Sequence, residues 1–117
     1  MKITIPLKPI SINEAFQGRR FKTKKCNDFC DDFLKIAPKK DKVKGNVEIE
    51  YRFYIKNHKM ADYDNMIKIT QDMIVKCGYI FDDRYIYKAT IYKIPSNDEK
   101  IEVDIYPLTK NHPMLQC

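Results

Sequence analysis

The sequence lacks several features that would assign it to a common class of protein. It has no tryptophan, only 3 glycines and only 2 histidines in 117 residues. Without a glycine-rich phosphate loop, a phosphohydrolase of small nucleotides is disfavoured. Cys26 and Cys30 share a helical spacing, but His58 and His112 stand alone, so the second ligand pair of a zinc finger is missing. No apolar run approaches the roughly 18 residues of a membrane span.

The cysteines and the first residues bear on where the protein acts. Its 4 cysteines form no CxxC pair and are too sparse for a disulfide framework, which is typical of a reducing cytoplasm. Residues 1–12 alternate with charges and prolines and do not resemble the apolar region of a signal peptide. We therefore expect a soluble, cytoplasmic protein with reduced thiols.

Length and charge indicate one basic domain. A chain of 117 residues with 44% hydrophobic residues can bury one modest core, and its length leaves dimerisation open. Lys and Arg total 22 against 16 Asp and Glu, a formal net charge of +6. This excess favours an anionic partner, either nucleic acid or a membrane surface.

Hydrophobic periodicity predicts a single α+β domain with a mixed sheet of about four strands and two helices, in the order β-α-β-α-β-β. A basic surface loop is expected over 11–25, overlapping a first helix that Thr23 caps and Pro38 ends. The cluster Pro95–Asp98 indicates a hairpin between the last two strands, and residues 107–117 should be a frayed tail. The predicted strands span 2–7, 47–55, 85–94 and 100–106, and the helices span 23–37 and 65–77.

Four carboxylates bracket the second helix. Asp62 and Asp64 precede or begin it, and Asp82 and Asp83 follow Gly78. Thirteen helical residues span about 20 Å, so the two pairs can meet only if the chain folds back after the helix. Together they would offer the hard oxygen ligands that Mg²⁺ or Mn²⁺ requires.

Within the helix, Asp64, Lys68 and Asp72 recur every four residues and so lie in a line. One interpretation is ordinary: a solvated row of ion pairs, with Asp64 as a helix cap. The other is catalytic, because carboxylates concentrated in a basic protein repel each other unless a metal or cation neutralises them. Spacing alone leaves both open.

The stretch Asp62-x-Asp64-Asn65-x-x-Lys68, with Asp72 and then Asp82-Asp83, resembles the signature of RusA-type Holliday junction resolvases. The segment Pro9-x-Ser11-x-Asn13 is similar, more loosely, to the family's segment after its first strand. Ala61 departs from the proline that many members carry before the first aspartate. With the lysine-rich composition, the resemblance is compatible with a bacterial, phage or prophage source.

The resemblance implies a Mg²⁺-dependent (or Mn²⁺-dependent) endonuclease that cuts four-way junctions by paired nicks and acts as a homodimer. Catalysis would fall to Asp62, Asp64, Asp83 and Lys68. Asp82 would join the three aspartates as a metal ligand, and Asp72 and Asn65 would support the site. A two-fold dimer would match the two symmetry-related bonds of the junction.

A DNA-binding surface is expected ahead of the acidic motif, because lysines and arginines contact phosphates without reading sequence. Two aromatic residues in the first loop are candidates for stacking on bases, although loop aromatics more often anchor their own loop. The candidates are Arg19, Arg20, Lys22, Lys24, Lys25 and Lys59, with Phe16 and Phe21 as the aromatics.

Two other functions stay open on the sequence. A non-catalytic nucleic-acid-binding module would use the acids only to cap and pair the helix, and would bind DNA without cutting it. A general flap or branched-DNA nuclease would keep the metal site but need no two-fold symmetry.

Overall fold

The computed structural model of the protein describes residues 1–11, 16–17, 21–57 and 63–108, with the backbone alone at 16–17, Phe21 and Tyr63–Asn65. A mixed sheet and two helices form the fold predicted from the sequence. In chain order the elements are β1 (Lys2–Ile5), β2 (Phe16–Gln17), β3 (Phe21–Lys22), α1 (Lys24–Ile36), β4 (Val47–Ile55), α2 (Tyr63–Lys76), a 3₁₀ turn (Asp83–Tyr85), β5 (Ile86–Pro95) and β6 (Lys100–Pro107).

The four-stranded sheet has the order β1-β6-β4-β5. β4 pairs with β5 in parallel and with β6 antiparallel, and α2 makes the crossover between β4 and β5. The predicted hairpin between β5 and β6 is wrong, because β4 lies between these strands. Pro95–Asp98 reverses the chain as expected, but the last strand passes to the far side of β4.

The inner face of the sheet packs against the helices. Along β4, Val47, Ile49, Tyr51, Phe53 and Ile55 are buried at alternate positions. Such alternation places one face of the strand in the core. The sheet and the helices share one hydrophobic core. From α1 it receives Cys26, Phe29 and Phe33, and from α2 it receives Met66, Ile69, Met73 and Ile74.

α1 begins and ends where local chemistry dictates. Thr23 caps α1, its hydroxyl oxygen accepting the Cys26 N–H at 3.1 Å, and Pro38 follows the C-cap. Lys24 and Lys25, expected in a loop, lie instead in the first turn of α1. The predicted arm also contains a two-residue ladder, in which β2 pairs with β3. None of the described helices is long and apolar enough to cross a membrane.

The outer face of the sheet carries a polar network centred on Arg52. Its guanidinium donates to Glu50 and Asp104, each at 2.6 Å, and to Glu102 at 3.4 Å. Tyr54 donates to the same Glu102. The Arg52 side chain is only 16% exposed although neither of the described helices covers it, because the neighbouring side chains enclose it.

The chain end departs in part from the predicted frayed tail. Pro107 still pairs with Val47, and the Leu108 N–H donates to the Asn46 carbonyl at 2.9 Å. The tail from residue 109 onward lies outside the described residues.

Candidate active site

α2 carries the central part of the predicted motif. Asp64 and Asn65 lie in its first turn, where the side chains are not described, and Asp62 lies outside the described residues. Lys68 and Asp72 are exposed on the helix surface. Within the described part of the chain no ion pair joins Lys68 to Asp72. The interpretation of Asp64, Lys68 and Asp72 as a row of ion pairs therefore has no support between these two residues.

The chain folds back after α2, as the sequence argument required. Gly78 has φ of +81°, its N–H donates to Val75, and the Tyr79 N–H donates to Ile74. These two bonds form a Schellman motif, which stops a helix at a residue in the left-handed region. Tyr79 and Ile80 are then only 1% exposed. The returning segment is therefore anchored in the core before it reaches the acids.

A second strand-like contact fixes the same segment. The Val43 N–H donates to the Tyr79 carbonyl at 2.9 Å, and Val43 forms a parallel bridge with Ile80. The loop after α1 is thus attached to the chain that leads into Asp82 and Asp83. This places the lysines of that loop on the same side of the molecule as the acids.

Asp82 and Asp83 are adjacent in sequence but differ in their surroundings. Asp82 caps the 3₁₀ turn: its Oδ1 accepts the Asp83 N–H at 2.8 Å, and its Oδ2 lies 3.8 Å from Arg84 Nε. Asp83 is exposed, and among residues 1–11, 16–17, 21–57 and 63–108 its carboxylate has no cation in ion-pair contact. The Asp82 carboxylate therefore binds within the turn, whereas the Asp83 carboxylate forms no described ion pair.

A buried tyrosine links Asp83 to α2. Tyr51, on β4, is fully buried and donates its hydroxyl to Gln71 Oε1 at 3.1 Å. Burial, and secondly the charge of Asp83, raise the pKa of Tyr51. The 3₁₀ turn that carries Asp83 also packs against α2. Gln71 is seven residues after Asp64, or about 10 Å along the helix axis.

The donor chemistry at Asp83 fits a hard divalent cation. Carboxylate oxygens are ligands that Mg²⁺ prefers, and the Asp83 carboxylate is exposed and in no described ion pair. The described residues contain no group of three or more acidic, histidine or cysteine side chains that could hold a metal by themselves. The other two predicted aspartates, Asp62 and Asp64, are those whose side chains the structure does not describe.

The predicted basic surface is described in part. Lys22 is exposed on β3 and precedes the first turn of α1. Burial and the adjacent Cys30 raise the pKa of the Cys26 thiol, while Lys22 lowers it and Asp72 raises it. β3 and α2 both pack against α1, which carries Cys26. Arg19, Arg20 and Lys59 lie outside the described residues, and for Phe16 and Phe21 only the backbone is described.

Sequence analysis missed a second basic surface. A cavity of about 310 Å³ lies where the ends of the two helices meet, and three of its lining residues are Lys35, Lys39 and Lys76. No described acid forms an ion pair with any of these lysines. Their spacing over forty residues of sequence gave no local signal, because only the packing of α1 against α2 brings them together.

An aromatic pair that adjoins the acids in the sequence was also missed. Phe81 is 48% exposed and contacts Tyr85, with ring centroids 5.9 Å apart. Lys42 Nζ lies 4.7 Å from the Phe81 centroid, and Arg84 Cζ lies 5.2 Å from that of Tyr85. The sequence contained a signal for this pair, because Tyr79-Ile80-Phe81 is an apolar run directly before two aspartates. Only the first two residues of the run are buried in the core.

Comparison with known families decides the relationship. The family model for endodeoxyribonuclease RusA matches residues 10–106, which include both helices, β4, β5 and both acidic pairs. The chain belongs to the RusA endodeoxyribonuclease family. The resemblance inferred from the aspartate motif is confirmed, and RusA membership implies a junction-resolving endodeoxyribonuclease. No curated protein gives a significant sequence match.

Proposed function

We propose that this protein is a Mg²⁺-dependent endonuclease that resolves Holliday junctions by paired symmetric nicks as a homodimer. Family membership supports the reaction class. The observation that supports the metal site is the Asp83 carboxylate, which is exposed in the 3₁₀ turn after α2 and has no ion-pair partner among the described residues. In a protein with formal net charge +6, an exposed carboxylate without an ion-pair partner is available to an added cation.

In this proposal Asp62, Asp64 and Asp83 hold Mg²⁺, for which Mn²⁺ can substitute. When bound, such an ion supplies a water of lowered pKa and offsets negative charge on the phosphate. Asp82 acts indirectly on the metal site, because its two oxygens contact the Asp83 N–H and Arg84 within the 3₁₀ turn that carries Asp83. The proposal therefore gives Asp82 a supporting role in the metal site.

The cation of Lys68 lies one helical turn after Asp64 and has no described acidic partner that would neutralise it. Its proposed role is to offset the charge that develops on the phosphate oxygens in the transition state. Asp72 and Asn65 would support the site from the same helix. Asp72 acts at least on the electrostatics of the neighbouring α1, since it contributes to the raised pKa of Cys26.

DNA would approach the helix side of the molecule. Lys22, Lys24 and Lys25 stand at one end of α1, with Arg19, Arg20 and Lys59 adjoining them in sequence. At the other end, the cavity with Lys35, Lys39 and Lys76 offers a second set of cations for phosphate contact. The outer face of the sheet is a poor alternative, because its Arg52 is already bonded to three carboxylates.

The proposed homodimer would match the symmetry of the proposed substrate. A four-way junction has two symmetry-related bonds to cut, and each chain offers one acidic site, so a two-fold dimer gives paired nicks. A monomer that still cuts junctions would instead favour a general branched-DNA nuclease.

The test compares a synthetic four-way junction with a linear duplex of the same sequence, with and without Mg²⁺. We expect junction-selective, metal-dependent nicks at symmetric positions, and a dimer by analytical ultracentrifugation. Asp83→Asn should abolish cleavage while leaving junction binding intact. Asp98→Asn is the matched control, since this aspartate is 86% exposed in the turn before β6. Binding without any cleavage by the wild-type protein would favour the non-catalytic alternative.

A further inference from the structure

Phe81, which is exposed, and Tyr85, which is half-buried, lie on either side of Asp82 and Asp83 in the sequence, and their rings contact each other. The 3₁₀ turn brings the two rings to a centroid separation of 5.9 Å with an interplanar angle of 54°. Phe81 follows two residues that are only 1% exposed, and yet it is itself 48% exposed. Core packing therefore does not account for this ring.

The exposed ring is held in place by a well-anchored backbone. Val43 bonds to the Tyr79 carbonyl on one side of Phe81, and the Tyr85 N–H donates to the Asp82 carbonyl at 3.1 Å on the other. A ring fixed in this way loses little conformational freedom on binding, and pre-organised aromatic side chains make good stacking surfaces for that reason.

Two cations complete the arrangement. Lys42 stands over the Phe81 ring and Arg84 over the Tyr85 ring, and neither Phe81 nor Tyr85 belongs to the buried core. The pattern of π-face plus adjacent cation matches a nucleotide, which has an aromatic base and an anionic phosphate. A cation over an exposed ring contributes about two- to fivefold to an equilibrium, whereas one stacked base contributes roughly 5- to 150-fold. A base can therefore displace the Lys42 ammonium, which then becomes free to contact a phosphate.

We propose that Phe81 and Tyr85 form a stacking platform for one unpaired nucleobase beside the phosphate that is cleaved at Asp83. The position of the scissile phosphate rests on the proposed function, but the stacking itself does not. A base inside a continuous duplex already has both faces stacked and is costly to extract, whereas a base at a branch point has lost a neighbour. The platform would thus favour branched over linear DNA.

The experiment uses 2-aminopurine, a fluorescent adenine analogue whose emission changes on stacking. It is placed at the branch point of a four-way junction or, separately, in the middle of one arm, and titrated with the full-length protein in EDTA. The variants are Phe81→Leu, which removes the ring, and Phe81→Tyr, which keeps it. Tyr92→Leu is the matched control, because Tyr92 is 44% exposed on β5 and is paired with Arg52 across the sheet.

We expect the wild-type protein, Phe81→Tyr and Tyr92→Leu to quench the branch-point probe and to leave the mid-arm probe unchanged. Phe81→Leu should lose the quenching and bind the junction roughly 5- to 150-fold more weakly, with duplex affinity changed less than about twofold. The proposal is overturned if the wild type gives no branch-point quenching, if Phe81→Leu weakens junction and duplex binding equally, or if Phe81→Tyr behaves like Phe81→Leu.

Cleavage measured in parallel with Mg²⁺ separates the two proposals. Quenching without cleavage would support the stacking platform and contradict the proposed nuclease activity. Cleavage of the junction by a wild-type protein that gives no quenching would support the nuclease activity and contradict the stacking platform.

Discussion

Replacement of Lys68 by alanine separates a structural lysine from a catalytic one. The side chain is exposed on α2, and it forms no ion pair with Asp72 in the described part of the chain. A helical pair four residues apart would contribute only about 0.2–0.5 kcal/mol, and without one the loss should be smaller still. Alanine is also a slightly better helix former than lysine. We therefore expect the melting temperature of Lys68→Ala to stay within about 3 °C of the wild type.

The catalytic effect should be much larger than the effect on stability. A cation that stabilises charge developing on the phosphate is lost in the variant, and removal of such a group costs roughly 10²-fold or more in rate, or about 2.7 kcal/mol. Because this interaction strengthens in the transition state, junction affinity should change little. Lys68→Arg should rescue only part of the rate, since a planar guanidinium does not replace a compact ammonium in a tight site.

The assay is single-turnover cleavage of a labelled four-way junction at saturating protein, with melting temperatures measured on the same preparations. Lys88→Ala is the control: this lysine is also exposed, but it pairs with Glu48 on the outer face of the sheet at 3.5 Å. We expect the control to cleave at the wild-type rate. A wild-type rate in Lys68→Ala would assign Lys68 to the helix surface and refute the catalytic argument.

Three further predictions concern stability and DNA affinity. Arg52→Met should destabilise the fold, since it leaves three carboxylates without their shared cation. In the wild type the hydrogen bond from Tyr54, and then Arg52, lower the pKa of Glu102. Glu102 therefore stabilises the fold above its unfolded pKa of about 4.3, and this contribution is lost as the pH falls through the lower folded pKa. Urea unfolding that shows no change at acid pH in Arg52→Met would contradict this. Thr70→Val should be neutral or stabilising by about 1 kcal/mol, because the buried Thr70 hydroxyl has no described hydrogen-bond partner, and a drop in melting temperature would count against it. The double change Lys39→Ala and Lys76→Ala should weaken binding to junction and duplex alike and lower the slope of log affinity against log salt by about two, whereas an unchanged slope would remove the cavity from the DNA-binding surface.

Local sequence signals predicted the elements whose boundaries are set locally. Val47–Ile55 alternates strictly and forms β4 with those bounds. Thr23 and Pro38 delimit α1, and Gly78 ends α2. The pairing of the last two strands was not predictable from the turn residues between them, because strand order depends on long-range contacts. A signal was present in composition: β5 contains Lys88, Lys93 and Pro95, which are typical of an edge strand, whereas β6 alternates buried and partly exposed residues.

The candidate site shows the same division. The motif identified the carboxylates and the family, since residue type and spacing are written in the sequence. The sequence does not show the difference between Asp82 and Asp83, because adjacent aspartates are equivalent until one of them forms a hydrogen bond within a turn. The lysine cavity and the Lys42–Phe81 contact depend on how α1 and its following loop pack against the chain after α2. These are tertiary contacts, which no single segment encodes.

The distribution of paired and unpaired charge indicates the side of the molecule from which DNA approaches. On the outer face, Glu50, Glu102 and Asp104 are all bonded to Arg52, and Glu102 also contacts Lys2 at 3.4 Å. On the helix side, the described part of the chain leaves Asp83 without a cation although the protein has more lysines than it needs to pair every acid. Asp72 on α2 is likewise exposed and without an ion-pair partner among the described residues. A metal ion at Asp83 and DNA phosphates at Lys35, Lys39 and Lys76 would neutralise both kinds of unpaired charge, so we expect DNA to approach the helix side.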